Sequence, residues 1–204
     1  ESVAIGKQPV PLAAIGGHGV GHVVDVGPQP LHARHLFANR DALDAFTEGE
    51  RAAIAEIWHR VAEDFAPFDI NVTTEEPSSF GPYTGRVLIT SKKQTNGADM
   101  PYRSAGGVAY VDVWGRSDYD WRYSPALVYH DNLANATNYI AEAAAHEFGH
   151  NLGLSHDGTS STSYYGGHGS GATSWAPIMG NSYSRNVTQW SRGEYAGANN
   201  DQDD

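Results

Sequence analysis

The chain has no cysteine among its 204 residues. That excludes disulfide staples and thiolate metal sites, so any metal would have to be held by histidines and carboxylates. Basic residues are scarce: 13 Lys and Arg stand against 24 Asp and Glu, for a formal charge of −11. Such a surface repels phosphate backbones, so nucleic acid is a poor partner. No apolar run is long enough to span a bilayer. No charged-then-apolar leader opens the chain, and Glu1 is no natural initiator, so a mature or trimmed product is expected. Hydrophobic residues make up 40%, enough to close a core, and the length suits one domain.

Two segments carry helical periodicity. From Asp44 to Phe65, apolar residues such as Ile54, Ile57, Trp58, Val61 and Phe65 recur near every 3.6 positions. Thr47 and Glu50 form a capping-box signature at its start, and Pro67 stops it. A second helix is expected over about 136–152, with Gly153 as its C-terminal stop. Strands are expected at 20–26, 70–74, 86–90, 107–114 and 126–129, separated by Gly, Pro, Ser and Asn clusters. Residues 158–174 have loop composition. The order implies an α+β or three-layer α/β fold, with an N-terminal sheet lobe (about 1–153) and a loop-rich C-terminal lobe (about 154–204) in one domain.

The second helix carries the chemistry. Its sequence from His146 runs His-Glu-Phe-Gly-His-Asn-Leu-Gly-Leu-Ser-His-Asp. Positions i and i+4 share a helix face, so His146 and His150 can present imidazoles to one ion. Imidazole suits zinc, and a catalytic zinc keeps three protein ligands and one open position. The third ligand is His156. On a continued helix it would point about 240° away. Gly153 removes that problem, because glycine takes a positive φ cheaply and lets the chain turn back. Glu147 is not needed as a ligand. Next to the ion it is placed to take a proton from water and return it to a leaving amine.

This His-Glu-x-x-His-x-x-Gly-x-x-His pattern resembles the metzincin zinc peptidases. The fuller string is similar to their adamalysin, or reprolysin, branch, with Gly149 to Gly153 and Asp157 matching. Ala176-Pro177-Ile178-Met179-Gly180 looks like the family's Met-turn. The resemblance implies a mixed twisted sheet with a long helix and a metal-binding helix, Met179 as a floor under the zinc, and a secreted endopeptidase. Protein or peptide substrates are implied too. It also implies that the segment from Gly107 to Trp114 holds substrate backbone by strand addition, with Val108, Ala109, Tyr110 and Val111 as contacts. The branch carries disulfides that this chain lacks, which points to a bacterial or divergent secreted relative. Several family branches place a tyrosine two residues after the Met. Here that position is Asn181, and Tyr183 is the nearest candidate.

Other residues have two readings each. His168 lines the substrate pocket or is solvated. Tyr164, Tyr165 and Trp175 offer a pocket an apolar wall. Asp201, Asp203 and Asp204, with Asn199 or Asn200, suit Ca2+ or plain solvation. His18 and His22 sit four apart among glycines, where no helix holds the spacing. His32, His35, His59 and His130 read as surface or packing residues. The expected ion is Zn2+ and the expected state a monomer. Two rivals remain: a narrow processing peptidase, and a binding or adhesion module that keeps the metal site.

Overall fold

The computed structural model of the chain describes residues 3–5, 22–27, 46–74, 77, 79–94 and 96–204, with side chains from Phe46 onward. The expectations for His18, His32, His35 and the start of the first helix at 44–45 lie outside the described residues. For His22 only the backbone is described, at the start of a strand.

Eight strands and three α-helices follow one another as β1 (Val3–Ile5), β2 (His22–Gly27), α1 (Glu48–Asp64), β3 (Asn71–Thr73), β4 (Gly85–Thr90), β5 (Gly107–Tyr110), α2 (Tyr119–Arg122), β6 (Ala126–Tyr129), α3 (Thr137–Leu152), β7 (Trp175–Pro177) and β8 (Val187–Gln189) among the described residues. Six strands form one mixed sheet in the order β1-β5-β6-β4-β2-β3. β2 is antiparallel to both β3 and β4. β4 is parallel to β6, and β5 is antiparallel to β6. β7 and β8 pair separately and in parallel. The α+β expectation holds. Among the described residues no helix is long and apolar enough to cross a membrane.

The expected cap of α1 is present. The Thr47 N–H donates to Glu50 Oε2 at 2.8 Å, and the Glu50 N–H donates to Thr47 Oγ1 at 3.2 Å. Two orphan donors of the first turn are thereby satisfied, and the helix starts at Glu48. α1 buries Ile57, Val61 and Phe65 against α3 and the sheet. Strand alternation divides the sheet residues. Val87, Ile89, Ala109, Ala126 and Val128 join that main core, while Val108, Leu127 and Tyr129 pack with Met100 in a second, smaller one. α3 carries a run of fully buried alanines, Ala143, Ala144 and Ala145. Their small side chains let its backbone lie close to its neighbours, which fixes where its histidines stand.

Three expectations need correction. The strand expected over 107–114 ends at Tyr110. Asp112 takes a positive φ of 57°. The N–H groups of Asp112, Val113 and Trp114 leave the sheet and donate to the His150 and Asn151 carbonyls at 2.9–3.1 Å. They cap the C-terminal carbonyls of α3, which have no partner within the helix. Second, β5 is not an edge. β1 pairs with it in parallel, Val3 to Val108, Ala4 to Ala109 and Ile5 to Tyr110, so its outer side is taken. The N-terminal stretch was expected to supply one strand and supplies two.

Candidate metal centre

α3 sets His146 and His150 one turn apart, with ring centroids 4.8 Å apart. Gly153 then stops the helix at φ 104°. The Gly153 N–H donates to the His150 carbonyl and the Leu154 N–H reaches back to the Gly149 carbonyl, both at 3.0 Å. This paired closure, a Schellman motif, needs a left-handed residue at that point. The chain reverses, and His156 returns to the two helical histidines, 4.7 Å from the His150 ring and 5.3 Å from the His146 ring. One ring nitrogen from each of the three lies within 4.8 Å of the others.

The hydrogen bonds assign tautomers. A carbonyl can only accept, so His146 Nδ1 donates to the Ile178 carbonyl and His150 Nδ1 donates to the Leu154 carbonyl, both at 2.8 Å. Each Nε2 then carries a lone pair in the neutral ring. Burial holds His146 well below its ordinary pKa, helped by His150 and opposed by the Ile178 carbonyl. Burial lowers His150 to about 4 against the pull of the Leu154 carbonyl. Burial lowers His156 too. All three rings are neutral at pH 7, the form that binds metal.

These residues fit a divalent cation. His146 Nε2 is buried with no hydrogen-bond partner, which costs about 1–3 kcal/mol if nothing answers it. His150 Nε2 and His156 Nε2 stand 3.0 Å apart. At that range the two nitrogens can share one proton, or both can turn lone pairs to one cation.

Glu147 is fully buried. Its Cγ and Oε1 lie 2.6 and 2.7 Å from where a β-carbon on Gly107 would stand, so only glycine leaves room for the carboxylate there. Met179 is fully buried as well. Its Sδ lies 2.6 Å from a β-carbon built on Gly149, between the two helical histidines. The Met179 carbonyl accepts the Asp157 N–H at 2.9 Å, tying the Met-turn to the third histidine's loop.

A model of the reprolysin-type metallo-peptidase family M12 matches residues 89–191, about half the chain. The chain belongs to that family. No curated protein and no solved structure gives a significant match. The metallopeptidase is therefore a hydrolase acting on proteins or peptides, with the histidine triad inside the matched span.

The remaining site candidates of this metallopeptidase divide by location. Val108, Ala109 and Tyr110 are buried in β5 beside β1, and Val111 lies half-buried just beyond the strand. His168 and Trp175 exchange backbone hydrogen bonds at 2.9 Å, and Tyr165 hydroxyl meets His168 Nδ1 at 3.0 Å. Tyr165 stacks on Tyr195 at 4.0 Å. Tyr183 packs on Tyr139, with its hydroxyl 3.2 Å from a β-carbon built on Gly106, beside the glycine that accommodates Glu147. Tyr164 is the aromatic that reaches the histidines, with its ring 4.3 Å from His156 and 6.2 Å from His146.

Sequence reasoning missed Gly107 and Asn151. Asn151 is buried on α3, its amide donating to the Tyr110 carbonyl and its Oδ1 accepting from the Tyr119 hydroxyl, both at 2.8 Å. Gly107 looked like an ordinary strand start. Asn151, inside the motif string, was legible only as a family letter.

Proposed function

We propose that this M12 metallopeptidase is a secreted, monomeric zinc endopeptidase whose 204 residues form one catalytic domain, with the cleft between lobes of about 1–153 and 154–204. His146, His150 and His156 would hold Zn2+, and the bound ion supplies Lewis acidity toward water and the peptide carbonyl. Glu147 moves the proton. Its carboxylate takes one from the attacking water and returns it to the departing amine nitrogen, so the C–N bond breaks without expelling an amide anion. Its position one residue from the first ligand supports that role.

Met179 supports the site from beneath, filling the space that Gly149 leaves. Tyr164, against two of the imidazoles, supplies an apolar wall beside the reacting centre. His168, Trp175 and Tyr183 remain proposed substrate contacts, together with Val108, Ala109, Tyr110 and Val111. Substrate backbone can pair along β5 only if Val3–Ile5 leaves that side, because each backbone group accepts one ladder partner there. Ca2+ at the acidic tail stays a proposal of the same standing, tested by calcium titration of the chelated protein.

The observation that carries the reading is the convergence of three neutral imidazoles within 4.8 Å. The deciding experiment pairs metal analysis with cleavage of a mixed peptide library. One zinc per chain and internal cleavage are expected; a chain that takes up no zinc, or that only trims peptide ends, overturns the reading. Secretion is tested by locating the native protein in the culture supernatant or in the cells.

A further inference from the structure

Of the three imidazoles, His146 and His150 are anchored through Nδ1 on backbone carbonyls. Among the described residues His156 has no such anchor. Its ring meets His150, Nε2 to Nε2 at 3.0 Å, and the Tyr164 ring at 4.3 Å, and it is aimed there by its own backbone, the short turn from Gly153 to Gly158. The chain after β8 closes around this turn. Gln202 Nε2 donates to the Gly153 carbonyl at 2.9 Å, and its Oε1 accepts the Ser155 N–H at 2.9 Å. The one amide thus satisfies two backbone groups on either side of Leu154, the residue whose carbonyl holds His150. Gln202 is held in turn, since its own N–H donates to Asn200 Oδ1 at 3.0 Å. Beyond His156, the Gly158 N–H donates to Asn199 Oδ1 at 3.0 Å and the Tyr195 hydroxyl donates to the Gly158 carbonyl at 2.9 Å.

We infer that Gln202 is a positioning residue for the third metal ligand: its side-chain amide clamps Gly153 and Ser155 and so fixes where His156 stands. The inference rests on the zinc reading above. The physical reason is pre-organisation. A ligand on an unanchored turn must be ordered when metal binds, and that entropy weakens binding. Losing a hydrogen-bonding partner behind a metal ligand lowers affinity by about 10- to 100-fold.

The test measures zinc affinity by chelator competition for the parent, Gln202→Ala, Gln202→Glu and Ala196→Ser, together with the Tm of each metal-free protein. Gln202→Ala should weaken zinc binding about 10- to 100-fold with little change in the metal-free Tm. Gln202→Glu keeps the acceptor for Ser155 but loses the donor to Gly153 and sets a carboxylate against a carbonyl, so it should also weaken binding. Ala196, exposed and six residues before Gln202, should tolerate its change at parent affinity. Parent-like affinity in Gln202→Ala overturns the inference and leaves the zinc reading standing. So does a loss matched by a collapse of the metal-free Tm, which would make the clamp merely structural. A parent that binds no zinc overturns both.

Discussion

Helix α3 and the chain that follows it contribute to the same three-histidine cluster, yet they are built differently. α3 is fixed by packing: Ile140, Ala141, Ala143, Ala144, Ala145 and Phe148 are all buried in one core with α1 and the sheet. The segment after Gly153 has few large buried side chains, chiefly Ile178 and Met179. It is held by polar links. Arg185 donates to the Gly166, Gly167 and Gly169 carbonyls, Asn186 ties Gly171 and Ser174, and Gln202 ties Gly153 and Ser155. Two of the clustered histidines thus come from a region that area burial stabilises, and one from a region that side-chain-to-backbone hydrogen bonds shape. Packing resists displacement cooperatively, whereas each hydrogen bond contributes only about 0.5–1.5 kcal/mol net. The third histidine is therefore the one most easily loosened.

The largest expected effect separates chemistry from both regions. Glu147→Ala should leave zinc uptake intact and cut peptide hydrolysis by about 10²- to 10⁴-fold, the usual worth of a positioned acid–base group. Metal content and turnover measured on the same preparation check it. Near-parent turnover would remove the proposed base.

The contrast also explains what the sequence disclosed. The packed region was readable because packing leaves periodicity: the α1 period, the Thr47–Glu50 box, β6 over 126–129 and the Gly153 stop all stand as expected. The histidine cluster was readable because helical spacing and one glycine determine it. Where hydrogen bonds decide the path, the signal vanishes. Val113 and Trp114 look like strand residues, but their N–H groups serve the end of α3 instead. Gln202 lies 46 positions after His156 and carries no local mark of its role. β1 escaped notice because three residues show no period.

Asn151→Ala should show how far the packed region also depends on hydrogen bonds. The change removes both 2.8 Å bonds, the one from the Tyr119 hydroxyl and the one to the Tyr110 carbonyl. A loss of about 1–3 kcal/mol is expected, from two hydrogen bonds at roughly 0.5–1.5 kcal/mol each. Denaturant unfolding checks it; a loss below ~0.5 kcal/mol would overturn this expectation and sharpen the contrast drawn above. Gly149→Ala probes the seam between the regions. Alanine gains up to about 1 kcal/mol of helix propensity over glycine. Its β-carbon meets Met179 Sδ at 2.6 Å, and overpacking of that kind costs about 1–3 kcal/mol. The clash should win, with Tm falling by a few degrees and zinc affinity dropping with it; a raised Tm would show that Met179 moves aside freely.

The smallest effect has the opposite sign. Asp64, at the end of α1, has its carboxyl pushed up to about 8, first by burial and then by Glu142 and Glu63, with Arg60 opposing. Glu142 is half-buried on α3 and raised for the same first reason, although the Ser182 and Thr188 hydroxyls donate to it at 2.6 and 3.0 Å. In the unfolded chain an aspartate titrates near 4. Between about pH 4 and pH 8 the folded protein therefore holds a proton at Asp64 that the unfolded chain has released. Stability must fall as pH rises through that window and level off above it. Asp64→Asn removes this slope while keeping the backbone carbonyl that accepts from the Trp190 indole. The variant should match the parent near pH 4 and exceed it near pH 8 by an amount on the order of 1 kcal/mol, about 2–4 °C in Tm. Glu142 titrates in both proteins, so the difference between their Tm–pH curves reads Asp64 together with its coupling to Glu142. Parallel curves would mean that the carboxyl ionises at its ordinary pH and that the packed region tolerates the charge after all.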